Sequence, residues 1–266
     1  PFIRFELKRP SGKQVLNVEG LSKSFGDTKI VKGFNLSVFR GDRIALVGRN
    51  GNGKTTLARL LAGQLKTMGG TLVASSKLRV GYFAQHQIEE LIAGETPLQH
   101  MERLLPEAKP GEVRAQLGRF GFSGDKATLA VRQLSGGERA RLSLALITRD
   151  APHILILDEP TNHLDVEARE ALVEALAGFG GAVIVVSHDR HLLGLIADRL
   201  VLVDGGTAKD FAGSLEDYRE LVLKSGNLRA DGNDDGRAKR DNRKDERRSA
   251  AELRESSKTL RKQVAE

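Results

Sequence analysis

Residues 48–55 are Gly-Arg-Asn-Gly-Asn-Gly-Lys-Thr, a glycine-rich turn between the apolar segment 42–47 (DRIALV) and KTTLARLLAG, which has helical spacing. Glycines let backbone N–H groups turn toward a ligand without an intervening Cβ, and a helix start adds the positive end of its dipole. We therefore predict a phosphate-binding loop. The residues expected to contact the phosphates are Gly48, Asn50, Gly51, Gly53, Lys54, Thr55 and Thr56.

Within this loop two side chains have defined chemistry. Lys54 places a positive charge on the β- and γ-phosphates, and the hydroxyl of Thr55 is a ligand for Mg²⁺. The pattern also arises by chance, but a strand before it and a helix after it are the context that it requires.

Two acids follow a second apolar run, residues 153–157, which lies between Pro152 and Asp158 and predicts a buried parallel strand. Ligands of α/β sheets collect at the carboxyl ends of strands. Asp158 is thus a candidate for holding Mg²⁺ through water, and Glu159 for polarising the attacking water. By itself, the sequence Asp-Glu-Pro is equally consistent with a plain strand-ending turn.

Two further polar residues follow predicted strands. His188 comes after residues 182–186 (AVIVV) and could donate to a γ-phosphate, although a lone histidine there is more often a satisfied loop residue. Gln85 comes after residues 80–84 and could ligate Mg²⁺ or water. His188 and Gln85 indicate a function only in combination with the phosphate-binding loop and the two acids.

The order of elements predicts an α/β fold. Helical periodicity at residues 166–177 and 191–197 alternates with the buried strands, which indicates a mostly parallel sheet flanked by helices. The N-terminal segment VLNVEGLSKSFGD…KGFNLSVFRGD alternates with period two, which favours an antiparallel β subdomain beside that sheet.

Composition restricts the class of protein. The chain of 266 residues has no cysteine, which excludes disulfides and thiolate metal sites, and it has no apolar run of 18 residues. A cytoplasmic protein is the simplest expectation. A net charge of +7 favours an anionic partner such as nucleic acid, or only aids solubility. The missing initial methionine leads us to expect a piece of a longer protein.

Charge density rises after Ser225. Residues 225–266 contain 12 Lys or Arg and 9 Asp or Glu. We predict a flexible charged linker at 225–245 and, from Leu253, Leu260 and Val264 at spacings of seven and four, the start of a basic helical extension at 246–266. The basic groups could bind RNA, or the interleaved acids could make this a solvated, self-compensated helix.

The whole set of motifs resembles ABC ATPases. Leu134-Ser135-Gly136-Gly137-Glu138 is similar to the signature motif of that family, and it precedes a helix in ERARLSLALITR. The resemblance implies that Ser135, Gly136, Gly137 and Glu138 face the γ-phosphate held by a second cassette, so that two ATP molecules lie between a head-to-tail pair.

The same resemblance assigns the remaining motifs. It makes residues 162–165 (NHLD) the D-loop, Gln85 the Q-loop glutamine and His188 the switch histidine. Phe25 falls where an aromatic side chain usually stacks on adenine, although the family often has Tyr there and a core Phe is the alternative. The resemblance implies ATP and Mg²⁺ as cofactors, and an ABC-type core with antiparallel β and α-helical subdomains.

Within the family, the amino-acid sequences of several segments are similar to those of the ABC-F proteins, which carry two cassettes and act on ribosomes. The segments that resemble them are residues 159–165 (EPTNHLD), 187–190 (SHDR), 81–87 (GYFAQHQ), 121–126 (GFSGDK) and the C-terminal FAGSLEDYRELVL. The resemblance implies the second cassette at 13–224, the end of an inter-cassette linker at 1–12, and ribosomal RNA, tRNA and a partner cassette as contacts.

Two other functions compete with this interpretation. One is the nucleotide-binding subunit of a membrane transporter, which would engage a permease through the surface near Gln85 and Gln87. The other is an ATP-binding scaffold with no catalytic activity. The NHLD sequence at residues 162–165 and the charged C-terminal segment favour the ABC-F interpretation.

Overall fold

The computed structural model describes residues 3–5, 13–74, 78–84, 86–162 and 164–230. The chain divides into one unit that ends at Leu215 and a second that begins at Glu216. The strands of the described residues are, in chain order, β1 (Gln14–Phe25), β2 (Thr28–Phe39), β3 (Arg43–Val47), β4 (Gly69–Ala74), β5 (Val80–Ala84), β6 (Ile154–Asp158), β7 (Ala182–Val186), β8 (Arg199–Asp204) and β9 (Thr207–Phe211).

A six-stranded sheet of order β5-β6-β7-β3-β8-β9 forms the centre of the first unit. All its neighbouring strands are parallel except β8 and β9, which form an antiparallel hairpin. Every residue of β3, β6 and β7 is buried. Such continuous apolar strands require cover on both faces, which confirms the prediction of a mostly parallel α/β sheet.

A second, three-stranded sheet has the order β2-β1-β4 and is antiparallel. From Phe34 to Phe39, β2 alternates buried side chains with more exposed ones, and the buried apolar side chains of β1 and β2 join the hydrophobic core. The predicted antiparallel subdomain is therefore confirmed, and β4 is a strand that the period-two pattern of the N-terminal segment did not include.

The α-helices of the first unit cover the sheet or form a separate helical group, and the last helix of the described residues lies almost entirely in the second unit. They are α1 (Lys54–Leu61), α2 (His86–Glu89), α3 (Pro97–Leu104), α4 (Pro110–Gly118), α5 (Gly136–Ile147), α6 (Val166–Ala177), α7 (Arg190–Ile196) and α8 (Leu215–Ala230). Helices α3, α4 and α5 contact one another and form the helical subdomain that the resemblance implied.

Helix α8 changes the predicted C-terminal organisation. Residues 225–230 continue this helix, whereas the charge pattern predicts a flexible linker from residue 225. The good helix formers Leu, Glu, Lys and Arg through most of LEDYRELVLKSGNLRA outweigh one glycine, which costs about 1 kcal/mol relative to alanine. Residues 231–245 and the predicted extension at 246–266 lie outside the described residues.

The described part of the predicted inter-cassette linker packs on the core. Ile3 is buried, and the ring of Phe5 lies 6.1 Å from that of Phe120 and 6.0 Å from that of Phe179. The rest of segment 1–12 is not described. None of the helices in the described ranges combines the length and apolar character needed to traverse a bilayer.

Candidate phosphate-binding and catalytic site

The glycine-rich loop lies between β3 and α1, as predicted. Gly53 precedes the first turn of α1 with φ 91°, and no side chain caps the helix. Because the residue before the helix is a glycine, it offers no side chain to the amide groups at the start of α1, which point toward the loop. Such a helix start is an anion site, because its donors and its dipole both favour negative charge.

Close approach explains two of the glycines. A Cβ at Gly48 would overlap the carbonyl oxygen of Val203 in β8, and a Cβ at Gly53 would overlap the side chain of Ile30 in β2. Both glycines also have φ angles that favour glycine. The side chain of Asn52 donates to Asp204 and holds the loop against the β8–β9 hairpin from outside. The loop is thus held in shape by the sheets on either side.

Lys54 reaches back across the loop. Its Nζ donates to the carbonyl oxygens of Gly48 at 2.9 Å and Arg49 at 3.1 Å, and the residue is only 8% exposed. Burial lowers the pKa of Lys54, and the carboxylates of Glu159 and Asp158 act in the opposite direction. The ammonium group is therefore desolvated beside the two acids, where a phosphate would interact with it strongly.

Asp158 ends β6 with its carboxylate buried. Burial raises the pKa of Asp158, while a hydrogen bond from the Thr55 hydroxyl and the charge of Lys54 lower it. The parallel pairing of β6 with β7 brings Asp158 opposite Val186, two residues before His188. Asp158, Thr55 and Lys54 thus meet at the carboxyl end of β6, and the roles assigned to them stay predictions.

Glu159 has an unusual backbone conformation. Its φ is 52°, in the left-handed region that residues with a Cβ seldom adopt, and its N–H donates to Val186 O at 2.8 Å. Burial raises the pKa of Glu159, and the backbone N–H and the side chain of His188 lower it. Strained residues of this kind cluster at functional sites.

His188 contacts the Glu159 carboxylate on both sides. Its backbone N–H donates to Oε2 at 3.4 Å, and its Nε2 lies 3.5 Å from Oε1. The His188 side chain is 60% exposed and the Glu159 side chain 21% exposed. The imidazole of His188 is therefore open to a ligand, and its role at the γ-phosphate stays a prediction.

These groups line one cavity of about 460 Å³. Its predicted members are Asn50, Gly51, Gly53, Lys54, Thr55, Thr56, Asp158, Glu159 and His188. The other lining residues are Ile30 and Val186, which belong to apolar strand patterns, and Asn162, for which the sequence predicts only a place in the D-loop. Nothing in those patterns distinguishes a cavity wall from the core.

The signature motif has a different position. Ser135, Gly136, Gly137 and Glu138 do not line this cavity; they begin α5. Ser135 Oγ accepts from the Glu138 N–H at 3.1 Å, and the Glu138 carboxylate accepts from the Ser135 N–H at 2.9 Å and from Lys126 Nζ at 2.8 Å. The hydrogen bonds from Lys126 and Ser135 lower the pKa of Glu138.

Three of the predicted functional residues remain less defined. Phe25 is 52% exposed, which rules out the core alternative, but it lies at the β1–β2 hairpin outside the lining of the cavity, and Lys23 Nζ is 5.2 Å from its ring centroid. Gln85 and His163 lie outside the described residues. No three His, Cys, Asp or Glu side chains of the described ranges form a metal-binding cluster.

Comparison with known proteins agrees with these motifs. The model of the family described as ABC transporter matches residues 31–162. The chain is 45% identical to the probable ATP-binding protein YheS of Escherichia coli K12, over 98% of this chain and 41% of that protein. It is 37% identical to ABC transporter F family member 3 of Arabidopsis thaliana (85% and 32%) and 37% identical to protein GCN20 of Saccharomyces cerevisiae (79% and 28%). The chain thus spans about two fifths of the length of its YheS relatives.

Proposed function

The chain belongs to the ABC family of ATP-hydrolysing domains, in its ABC-F branch, and we propose that it binds MgATP in the cavity between α1 and β6 and hydrolyses it. One observation carries the proposal. A helix start without a side-chain cap, a desolvated lysine and two adjacent carboxylates meet in one cavity of about 460 Å³.

The residues present suit both ATP and Mg²⁺. The amides of the loop and of the first turn of α1 would hold the phosphates, and Lys54 would exchange its two carbonyl partners for phosphate oxygens. Thr55 and Asp158 offer a hydroxyl and a carboxylate, oxygen donors of the type that Mg²⁺ combines with phosphates and water. Bound Mg²⁺ would neutralise phosphate charge and align the phosphates for in-line attack.

Hydrolysis needs a base beside the γ-phosphate. Glu159 accepts a proton from water while the water oxygen attacks the γ-phosphorus, and the bond from that phosphorus to the β–γ bridging oxygen breaks to release ADP. The raised pKa of Glu159 makes its carboxylate a stronger base. His188, in contact with that carboxylate, orients it and donates to the γ-phosphate.

We assign the signature motif to the γ-phosphate of a second cassette. The capping interaction of Ser135 with Glu138 occupies the Glu138 N–H and leaves the amides of Gly136 and Gly137 as the donors at the start of α5. Glu138 acts as a capping residue of α5 rather than touching ATP, because its carboxylate accepts from the Ser135 N–H and from Lys126 and would repel phosphate.

A Glu159→Gln variant tests the enzymatic part. It retains the loop, Lys54 and Asp158, so we expect calorimetry to give ATP affinity within a few-fold of wild type, with single-turnover hydrolysis slowed at least about 100-fold. Hydrolysis at the wild-type rate would remove Glu159 from the role of base. Absence of hydrolysis in both proteins, with ATP bound, would favour the scaffold interpretation.

For the intact protein, we propose a cytoplasmic role on the ribosome, in contact with RNA. The support is the resemblance of segments 159–165 and 187–190 to ABC-F proteins, together with the net charge of +7. The alternative is a transporter subunit. Sedimentation of the intact Glu159→Gln protein with ribosomes, in ATP and in ADP, separates the two. ATP-dependent retention supports the ribosomal role, and retention only on membranes that hold a permease supports the alternative.

A further inference from the structure

A second cavity of about 280 Å³ adjoins the phosphate site. It shares the walls formed by Thr55, Asp158 and Glu159 with the larger cavity. Its remaining walls come from α1, β5 and the start of α2, and they are formed by Arg59, Tyr82, Ala84 and His86. The second cavity therefore reaches Asp158 from the β5 side of the sheet, and the proposed hydrolysis gives these four residues no role.

The strand register sets Tyr82 beside Asp158. In the parallel pairing of β5 with β6, Tyr82 lies opposite Ile156 and Ala84 lies opposite Asp158. Side chains two residues apart on a strand point to the same face, so Tyr82 and Asp158 share one face of the sheet. Helix α1, which carries Arg59, packs against β6.

The hydroxyl group of Tyr82 has an unusual environment. The residue is 5% exposed, and its hydroxyl is sealed from solvent and makes no hydrogen bond of ordinary geometry with another described residue. The charged groups that act on it are Asp158 and Arg59. A buried polar atom without a close partner destabilises the folded chain, and a phenylalanine at position 82 would avoid this cost.

A phenol keeps its proton at neutral pH, so the Tyr82 hydroxyl can only donate to a carboxylate. The Asp158 carboxylate interacts with this donor through its charge and through a side-chain hydrogen bond that is looser than the ordinary geometry. The oxygen turned away from Tyr82 would then face Thr55 and the phosphates.

We infer that Tyr82 is a positioning residue, whose hydroxyl holds one oxygen of Asp158 so that the other faces the metal ion of the nucleotide complex. This inference rests on the proposed function. Arg59 stabilises the same carboxylate by its charge from the α1 side. Partners of this kind, behind a metal-facing group, fix its orientation and thereby set metal affinity.

The test is metal binding rather than turnover. Tyr82→Phe removes only the hydroxyl, and Tyr218→Phe, at the other of the chain's two tyrosines, is the matched control. With each full chain saturated with ADP, Mn²⁺ is titrated and the free ion is followed by electron paramagnetic resonance. ADP affinity is also measured in EDTA, and the melting temperature is measured without ligands.

We expect Tyr82→Phe to weaken Mn²⁺ binding about tenfold, to leave metal-free ADP affinity unchanged, and to melt no lower than wild type. Tyr218→Phe should match wild type in Mn²⁺ affinity and in metal-free ADP affinity. In an Asp158→Asn background, Tyr82→Phe should cause no further loss of Mn²⁺ affinity, because the carboxylate that it orients is gone.

Mn²⁺ affinity of Tyr82→Phe within twofold of wild type overturns the inference and leaves the proposed function intact. A Tyr82→Phe chain that does not fold also overturns it, because the hydroxyl would then be a structural requirement. If the wild-type chain itself fails to bind ADP, the proposed function fails first and the inference with it.

Discussion

The backbone conformation of Glu159 leads us to predict that replacing this proposed catalytic residue with glycine stabilises the folded chain. With φ at 52°, this glutamate is in the left-handed region, where a Cβ costs roughly 1–2 kcal/mol. The conformation is imposed by the hydrogen bond from its N–H to Val186 O, which ties the end of β6 to β7. Replacing Glu159 with glycine should therefore relieve strain while it removes the proposed base.

The net effect on stability follows from two opposing terms. The strain relief of about 1–2 kcal/mol is reduced by about 0.4–1 kcal/mol, because glycine gives the unfolded chain more freedom. The contacts of the carboxylate with His188, at 3.4 and 3.5 Å, involve an exposed side chain and add little. We expect Glu159→Gly to raise the free energy of unfolding by roughly 0–1.6 kcal/mol, with about 0.8 kcal/mol at the centre of this range.

Urea unfolding at neutral pH measures this difference, with Glu159→Gln as the control, since glutamine keeps both the Cβ and the strain. The midpoint of Glu159→Gly should lie above that of Glu159→Gln with the same slope, while both variants have lost hydrolysis. A midpoint below that of Glu159→Gln would refute the strain argument, because the left-handed conformation would then not destabilise the folded chain.

Three more changes have defined outcomes. Lys54→Ala should weaken ATP binding about 10–100-fold in calorimetry, because charge-assisted hydrogen bonds are lost. Unchanged affinity would contradict the assignment of the phosphate-binding loop. Gly48→Ala, whose Cβ would overlap Val203 O, should lower the free energy of unfolding by at least about 1–3 kcal/mol, and an unaltered melting curve would show that the loop adapts. Lys126→Met should lower the free energy of unfolding by about 0.5 kcal/mol at neutral pH. Because Lys126 lowers the pKa of Glu138, urea unfolding should show this difference disappear as the pH falls below the ordinary glutamate range. A difference that does not depend on pH would count against the ion pair.

Much of the fold is encoded in short-range patterns. The strand at 182–186 and the helix at 166–177 lie where apolar runs and helical periodicity predict them. The strand predicted at 153–157 is shifted by one residue, to Ile154–Asp158, because pairing with both neighbours continues through the acid. Sequence patterns stop a strand at its first charge, whereas hydrogen bonding to flanking strands does not.

Helix starts illustrate the same limit. The helix predicted at 191–197 begins at Arg190, because the Asp189 side chain accepts from Leu192 N–H at 3.1 Å and caps it. This cap could have been recognised from the aspartate itself.

The site divides into parts that sequence can and cannot reveal. Lys54, Asp158 and Glu159 belong to motifs with fixed spacing, so their chemistry is visible without coordinates. Tyr82 looks like an ordinary core residue of an apolar strand, and only the register between β5 and β6 brings it to Asp158. Such long-range pairing has no local signal, which is why this contact had to come from the structure.

The most direct measurement is a crystal structure of the chain with Mg²⁺ and a non-hydrolysable ATP analogue. We expect the triphosphate to lie against the start of α1, with Lys54 Nζ moved from the carbonyl oxygens of Gly48 and Arg49 to phosphate oxygens, and with the metal ion beside Thr55 and Asp158. An analogue bound elsewhere, or Lys54 still donating to both carbonyl groups with the cavity filled by the chain itself, would contradict the assignment of this site.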